Sequence, residues 1–304
     1  MGKIDKYRGV FPAFYACYDD SGRISPDRTR AMARFLIGKG VDGLYVCGSS
    51  GECIYQTKEE RMLALESVME EAKGKVTVIA HVAATSTGES VELAQHAASC
   101  GVDALAAIPP IYFKLPEYSI EQYWKAMIDA TDLDFIIYNI PGTTGYALSM
   151  DLFKKMLAYD KVRGIKNSSM PAQDIERFKR VGGEDFAVFN GPDEQFVAGR
   201  IIGADGGIGG TYSVMPELFL KANQFIEDGN VKKAGEIQHA VNDIIFTMTG
   251  CHGNMYSVAK EILRIQGIDI GQARLPLSPF TEEDVPAIKR CAKMIENAIQ
   301  KYCG

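Results

Sequence analysis

One unit recurs along the chain: a short run that is apolar on both alternating faces, a polar loop, then a longer amphipathic stretch. The runs are GVFPAFYACY (9–18), VDGLYVCGSSGE (41–52), KVTVIAHVA (75–83), VDALAAIPP (102–110), LDFIIYNIPG (133–142), VRGIKNSS (162–169), FAVFNGPDE (186–194) and GADGGIGGTYS (203–213). A strand with no polar face must be covered on both sides, which helices do when they connect parallel neighbours.

The intervening stretches carry helix-start chemistry. Ser25-Pro26 offers a cap followed by a first-turn proline, and Thr57-x-x-Glu60, Ser86-x-x-Glu89 and Ser119-x-x-Gln122 read as capping boxes. Strands alternating with helices, with no break in composition, fit a closed (β/α)8 TIM barrel better than an open doubly wound sheet. After the eighth run the chain reads as helix alone, in PELFLKANQFIEDG, VKKAGEIQHAVNDIIFTM, MYSVAKEILRIQG and EEDVPAIKRCAKMIENAIQKY. The expected division is a barrel core at 1–215, then the last barrel helix and a C-terminal helical appendage at 216–304.

Composition narrows the function. A net charge of −6 and a pI near 5.4 offer no footprint for nucleic acid or an anionic membrane. The start, MGKIDKYRGVF, lacks the apolar segment of a secretory signal and has Lys6 where myristoylation wants Ser or Thr. The seven cysteines are odd in number and form no C-x-x-C, as expected of reduced thiols in a cytoplasmic protein. The four histidines are scattered without metal-ligand spacing, so no metal site is expected.

In such a barrel the chemistry sits where strands end, at the C-terminal face. The sixth run ends in Lys166. A lysine enclosed by barrel walls loses solvation and its pKa falls, so a neutral amine becomes available to attack a carbonyl. Tyr138 closes the neighbouring run with a phenol that can carry protons. Gly48-Ser49-Ser50-Gly51 offers backbone N–H groups and two hydroxyls that suit a carboxylate.

Together these motifs resemble the N-acetylneuraminate lyase and dihydrodipicolinate synthase superfamily of pyruvate-dependent class I aldolases. The matching elements are GSSGE (48–52), YNIP (138–141), GIK (164–166) and GADGGIGGTY (203–212), in the family's order over nearly the full length. The resemblance implies that Lys166 forms a Schiff base with pyruvate, that Tyr138 shuttles protons, and that Ser49 and Ser50, flanked by Gly48 and Gly51, hold the pyruvate carboxylate. It implies no cofactor. Tyr112, in PPIYF, matches a tyrosine lent across a subunit interface, which implies a homotetramer built as a pair of tight dimers. Ser168, Gly191, Asp193, Glu194, Ile208 and Gly210 match positions around the sugar aldehyde.

Within that family, synthases carry an arginine after Y-N-x-P for a second carboxylate, whereas Gly142-Thr143-Thr144-Gly145 brings no charge. Asp193-Glu194 instead resembles a pair that accepts polyol hydroxyls, although acids there also suit the first turn of a helix. The resemblance therefore points first to cleavage of N-acetylneuraminate, then to another pyruvate aldolase acting on 2-keto-3-deoxy sugar acids, then to dihydrodipicolinate synthesis. Two departures concern the aldehyde half: Gly210 stands where a hydroxyl residue is common, and Cys251-His252-Gly253 matches only loosely. Two readings from other classes are a phosphate-binding barrel enzyme, on GADGGIGG, and a non-catalytic binding protein for which Lys166 is dispensable.

Overall fold

A computed structural model of the chain describes Gly2 and residues 4–304. Each apolar run contains one strand: β1 (Gly9–Pro12), β2 (Gly43–Val46), β3 (Thr77–His81), β4 (Ala104–Ala107), β5 (Asp134–Asn139), β6 (Val162–Asn167), β7 (Ala187–Asn190) and β8 (Gly206–Gly209). They form one parallel eight-stranded sheet in sequential order. β1 pairs with β8, with Phe11 opposite Ile208, and meets β2 through Asp42 N donating to Val10 O at 3.1 Å and Phe14 N to Tyr45 O at 2.9 Å. The sheet thus curls into a barrel.

Side-chain alternation sorts the strands into two layers. Phe11, Tyr45, Ile79, Ala106, Ile136, Tyr138, Phe189 and Ile208 fill the barrel interior. Their neighbours Val10, Leu44, Val46, Val78, Leu105, Phe135, Ile137 and Ile165 face outward into the larger core beneath the helices. Both faces are dry, which is why the runs show no polar alternation.

Strand entry follows a repeated local pattern. Gly40-Val41-Asp42, Gly101-Val102-Asp103 and Gly203-Ala204-Asp205 each place a left-handed glycine after a helix and an aspartate at the foot of a strand. Each carboxylate accepts a backbone N–H from a neighbouring strand: Asp42 from Val10 at 2.7 Å, Asp103 from Val78 at 2.9 Å and Asp205 from Val188 at 2.9 Å. The glycine stops the helix and the aspartate fixes register.

Ser25 caps Pro26–Gly38, and Thr57 with Glu60 forms the full reciprocal box ahead of Lys58–Ala72. Ser86 accepts from Glu89 N ahead of Thr87–Cys100. Ser119 differs. Its helix is Glu117–Asp129 with Pro116 at the N-cap, and Ser119 N donates to Pro116 O at 2.9 Å, so Ser119 lies inside the first turn. The proline, extended at ψ 154°, sets the start, so Ser119 cannot act as the cap.

Past β8, Pro216–Glu227 lies along β1, while Val231–Thr249, Met255–Ile265 and Val285–Cys303 pack on one another. This helical group also reaches the barrel mouth. Gln238 Nε2 donates to Asp193 O at 3.0 Å, and Asn242 Nδ2 to Glu194 O at 3.1 Å. No helix among the described residues is long and apolar enough to cross a membrane.

Candidate active site

Alternation along β6 turns Ile165 outward and Lys166 inward, opposite Tyr138 of β5 and Phe189 of β7. Room for the lysine stem comes from Gly164 on the same face, where a Cβ would lie 2.7 Å from Ala187 O. The Lys166 side chain is buried, with Nζ 4.2 Å from the Tyr138 ring centroid and 4.4 Å from that of Tyr45. Among the described residues it makes no hydrogen bond or ion pair. Burial lowers its pKa to about 7, and the nearby Asp193 carboxylate offsets part of that fall. A large neutral fraction at physiological pH follows.

Tyr138 is buried edge-on against Tyr45 and His81, at centroid distances of 5.8 and 6.1 Å. Burial pushes its phenol up to about 12, while the hydroxyls of Ser49 and Ser168 pull in the other direction. The group is therefore a protonated phenol facing two hydroxyls: a proton donor with a relay around it. His81 stays neutral, its pKa held far down by burial, with Nδ1 3.1 Å from Cys47 O and Nε2 accepting from Ile108 N at 3.4 Å.

The turn after β2 is tightly constrained. Cys47 and Glu52 both take left-handed backbone, at φ 60° and 55°. A Cβ on Gly48 would come 2.5 Å from the Tyr45 ring, so only glycine fits there. Among the described residues, the amides of Ser49 and Ser50 donate to no backbone carbonyl, which leaves them for an anion. Ser49 is exposed, whereas Ser50 is buried and donates to Tyr256 Oη at 3.4 Å. Gly210 adjoins this group: a Cβ there would sit 3.4 Å from Ser50 Oγ and 3.6 Å from Met255 Cε, and its carbonyl accepts from Tyr15 Oη at 2.6 Å.

Opposite the turn, Gly191 permits a close approach. A Cβ on it would fall 2.0 Å from Ser168 Oγ. Asp193 is buried, and its Oδ2 accepts from Thr211 N at 2.6 Å and Thr211 Oγ1 at 2.5 Å. Burial raises its pKa to about 6, with the Thr211 bonds opposing. One Asp193 oxygen is thus occupied in fixing the loop after β8. Half-buried Glu194 follows it on the short turn Asp193–Gln195.

Two expected residues stand apart. Tyr112, left-handed at φ 78° and 91 % exposed, lines with Phe113, Thr143, Thr144 and Tyr146 a surface cavity of about 400 Å³ that includes neither Lys166 nor Tyr138. Ile208 is fully buried in the barrel interior, which leaves its side chain no face for a sugar. Conversely, the sequence reading passed over several residues. Tyr256 arrives from the appended helices, and no local pattern announces it. Asn139, Asn167 and Ser169 form a buried chain, Asn139 Nδ2 to Asn167 Oδ1 at 2.8 Å and Asn167 Nδ2 to Ser169 Oγ at 2.9 Å, continuing to Asp174 Oδ2 at 2.7 Å. This chain pins the ends of β5 and β6, and its asparagines directly follow Tyr138 and Lys166. Among the described residues no group of His, Cys, Asp or Glu could hold a metal ion.

Known proteins resemble this chain along nearly its whole length. An N-acetylneuraminate lyase of Mediterraneibacter gnavus is 53 % identical over 304 residues, covering 99 % of this chain and 96 % of that protein. One from Salmonella agona is 35 % identical over 291 residues, covering 95 % and 97 %. The structure of a Ruminococcus gnavus sialic acid aldolase, a catalytic lysine mutant, superimposes with a TM-score of 0.98 at 53 % identity over 99 % of this chain and 100 % of that one. The profile of the Dihydrodipicolinate synthetase family matches residues 6–295, and with relatives this similar along the whole barrel and its appendage, the chain belongs to that family.

Proposed function

We propose that the protein is a class I lyase that cleaves N-acetylneuraminate into N-acetylmannosamine and pyruvate, with Lys166 as the Schiff-base residue. One observation carries the reading: an amine buried beside a phenol, with no hydrogen bond or direct ion pair among the described residues and with its pKa brought to about 7. Burying an ammonium is costly, and use as a neutral nucleophile accounts for it. The full-length similarity to lyases of that activity supports the substrate.

The steps follow from this placement. The Lys166 amine adds to the C2 ketone of the open-chain sugar, water departs, and an iminium remains. Tyr138 gives and takes the protons of this exchange. The proton of the C4 hydroxyl is then removed, the C3–C4 bond breaks, and its electron pair enters the iminium to form an enamine. C4 leaves as the aldehyde of N-acetylmannosamine. Protonation of the enamine carbon and hydrolysis return pyruvate and the free lysine. The iminium is the electron sink, so the lysine does the work of a cofactor.

In this reading the Ser49 and Ser50 amides and hydroxyls, in the turn bounded by Gly48 and Gly51, hold the carboxylate. Ser168, Gly191, Asp193, Glu194 and Gly210 surround the polyol. The exposed Tyr112, Phe113, Leu115 and Tyr118 support a tight dimer that carries Tyr112 to the partner's site, within a homotetramer. Free cysteines suit a cytoplasmic setting.

The test is incubation with pyruvate and borohydride followed by peptide mapping, alongside pyruvate release from N-acetylneuraminate and from 2-keto-3-deoxy sugar acids. A reduced adduct on Lys166 and preference for N-acetylneuraminate are expected. An unmodified lysine overturns the mechanism. Preference for a sugar acid moves the assignment to the second reading, which Gly210 favours by leaving the space beside Ser50 open.

A further inference from the structure

Glu52 closes the GSSGE motif, yet the chemistry above gives it no part. Its side chain and that of Lys260 are both fully buried, with Lys260 Nζ donating to Glu52 Oε1 at 2.6 Å. The second carboxylate oxygen accepts Arg274 N at 2.8 Å, and Lys260 Nζ also donates to Gln272 O at 3.2 Å. Lys260 and Arg274 both lie over the Tyr18 ring, each 4.6 Å from its centroid. Tyr18 Oη accepts from Gln56 Nε2 at 3.1 Å, and the same amide donates to Gly51 O at 2.9 Å. The Ser49–Gly51 segment is therefore held through Glu52 by Lys260 of the helix Met255–Ile265 and Arg274 of the segment that follows it, and through Gly51 by Gln56 on Tyr18.

The grip acts on a strained backbone. A non-glycine residue in left-handed conformation persists when its surroundings over-determine it, and such residues gather at ligand clamps. The turn has one at each end, with Cys47 O tied to His81 and Glu52 tied to Lys260. The serine amides between them have no backbone acceptor among the described residues.

We propose that the buried Glu52–Lys260 ion pair is a positioning device that holds the Ser49–Ser50 turn in its carboxylate-binding shape. Lys260 touches no reacting atom and acts through Glu52. The inference rests on the reading of Ser49 and Ser50 as the carboxylate site.

The test is borohydride trapping on Lys166 with two carbonyl probes, pyruvate and acetone, in the wild type, Lys260→Met and the double variant Glu52→Gln with Lys260→Met. In each case the amine and ketone condense with loss of water, and hydride from borohydride reduces the imine to a secondary amine. The double variant leaves no unpaired buried charge, so it retains the fold if the single variant does not. The half-saturating pyruvate concentration should rise roughly ten- to a hundredfold, the scale of a displaced binding group, with acetone trapping unchanged. Unchanged half-saturation for pyruvate, with only the thermal midpoint lowered, makes the pair merely structural and overturns the inference. Failure of wild type to trap either probe instead overturns the Lys166 reading.

Discussion

Lys166 and Tyr138 are register partners across β6 and β5, with the amine nitrogen 4.2 Å from the phenol's ring centroid. The sheet itself sets the pair: one hydrogen-bond register fixes which phenol faces which amine, and a slip of β6 by one residue would turn Lys166 outward, away from Tyr138. The chemistry thus rests on secondary structure more than on loops.

From this pairing, Tyr138→Phe should keep the amine nucleophilic while removing the proton carrier. A loss of about 10²–10⁴ in kcat is expected, the usual worth of general acid–base catalysis. Pyruvate adducts on Lys166 should still accumulate in this variant. Wild-type turnover by the phenylalanine enzyme would assign proton transfer elsewhere.

Lys166→Met should abolish cleavage and stabilise the fold. The folded pKa of Lys166 is near 7, below the ordinary 10.5 of the unfolded chain, because burial disfavours its charge. Between those values the unfolded state binds the extra proton, so the lysine's penalty is full below pH 7 and fades as pH climbs to 10.5. The thermal midpoint of the methionine variant should exceed that of wild type most at the low end of this window, and the gap should close at the high end. A gap independent of pH would mean that Lys166 is not held neutral.

The sequence displayed much of this and hid a definable remainder. Strand positions and the inward lysine were legible because dry strands leave a continuous apolar signature, and chemistry at strand ends follows from barrel geometry. Ser119 misled because its spacing to Gln122 imitates a box, while Pro116 had already started the helix. Tyr256 and Lys260 were illegible for a different reason. Where the helix Met255–Ile265 docks is decided by packing at long sequence separation, as with Lys260 on Glu52, and no periodicity encodes that. Asp193 read as a hydroxyl acceptor or a first-turn helix acid, and its bond to Thr211 stayed hidden because that partner lies on another strand's loop.

Activity should rise with pH through about 7 as Lys166 loses its proton. The Asp193 carboxylate favours the charged lysine, so neutralising it should lower the lysine pKa further. Asp193→Asn, which can still accept from Thr211, should move the rising limb of kcat/KM to lower pH. A shift in the opposite direction would show that the two groups do not interact as their proximity requires.

Gly191 and Gly210 should respond differently to an added side chain. Alanine at 191 would place Cβ 2.0 Å from Ser168 Oγ and 2.8 Å from Asn167 O, so Gly191→Ala should displace Ser168 and cost about 1–3 kcal/mol of stability, the range for overpacking. Gly210 has ordinary backbone at φ −71°, with 3.4 Å to its nearest neighbour, so Gly210→Ser should fold normally. The added hydroxyl should lower KM for N-acetylneuraminate and leave pyruvate trapping untouched. Thermal midpoints and KM values measured on both variants check the contrast.

Tyr112 provides a test of assembly that needs no structure of the complex. Its 91 % exposure and left-handed backbone make it costly to display unless a second chain receives it. If each site takes Lys166 from one chain and Tyr112 from its partner, Tyr112→Phe and Lys166→Met are complementary defects. Each variant alone should be impaired, the second completely. In a mixed dimer, the site on the Tyr112→Phe chain keeps its own lysine and receives the intact tyrosine of the Lys166→Met chain, so one of its two sites is whole. Co-refolding the two variants should therefore raise specific activity above the mean of the separate proteins. Activity equal to that mean would keep Tyr112 outside the neighbouring site, and the exposed aromatic group would need another explanation.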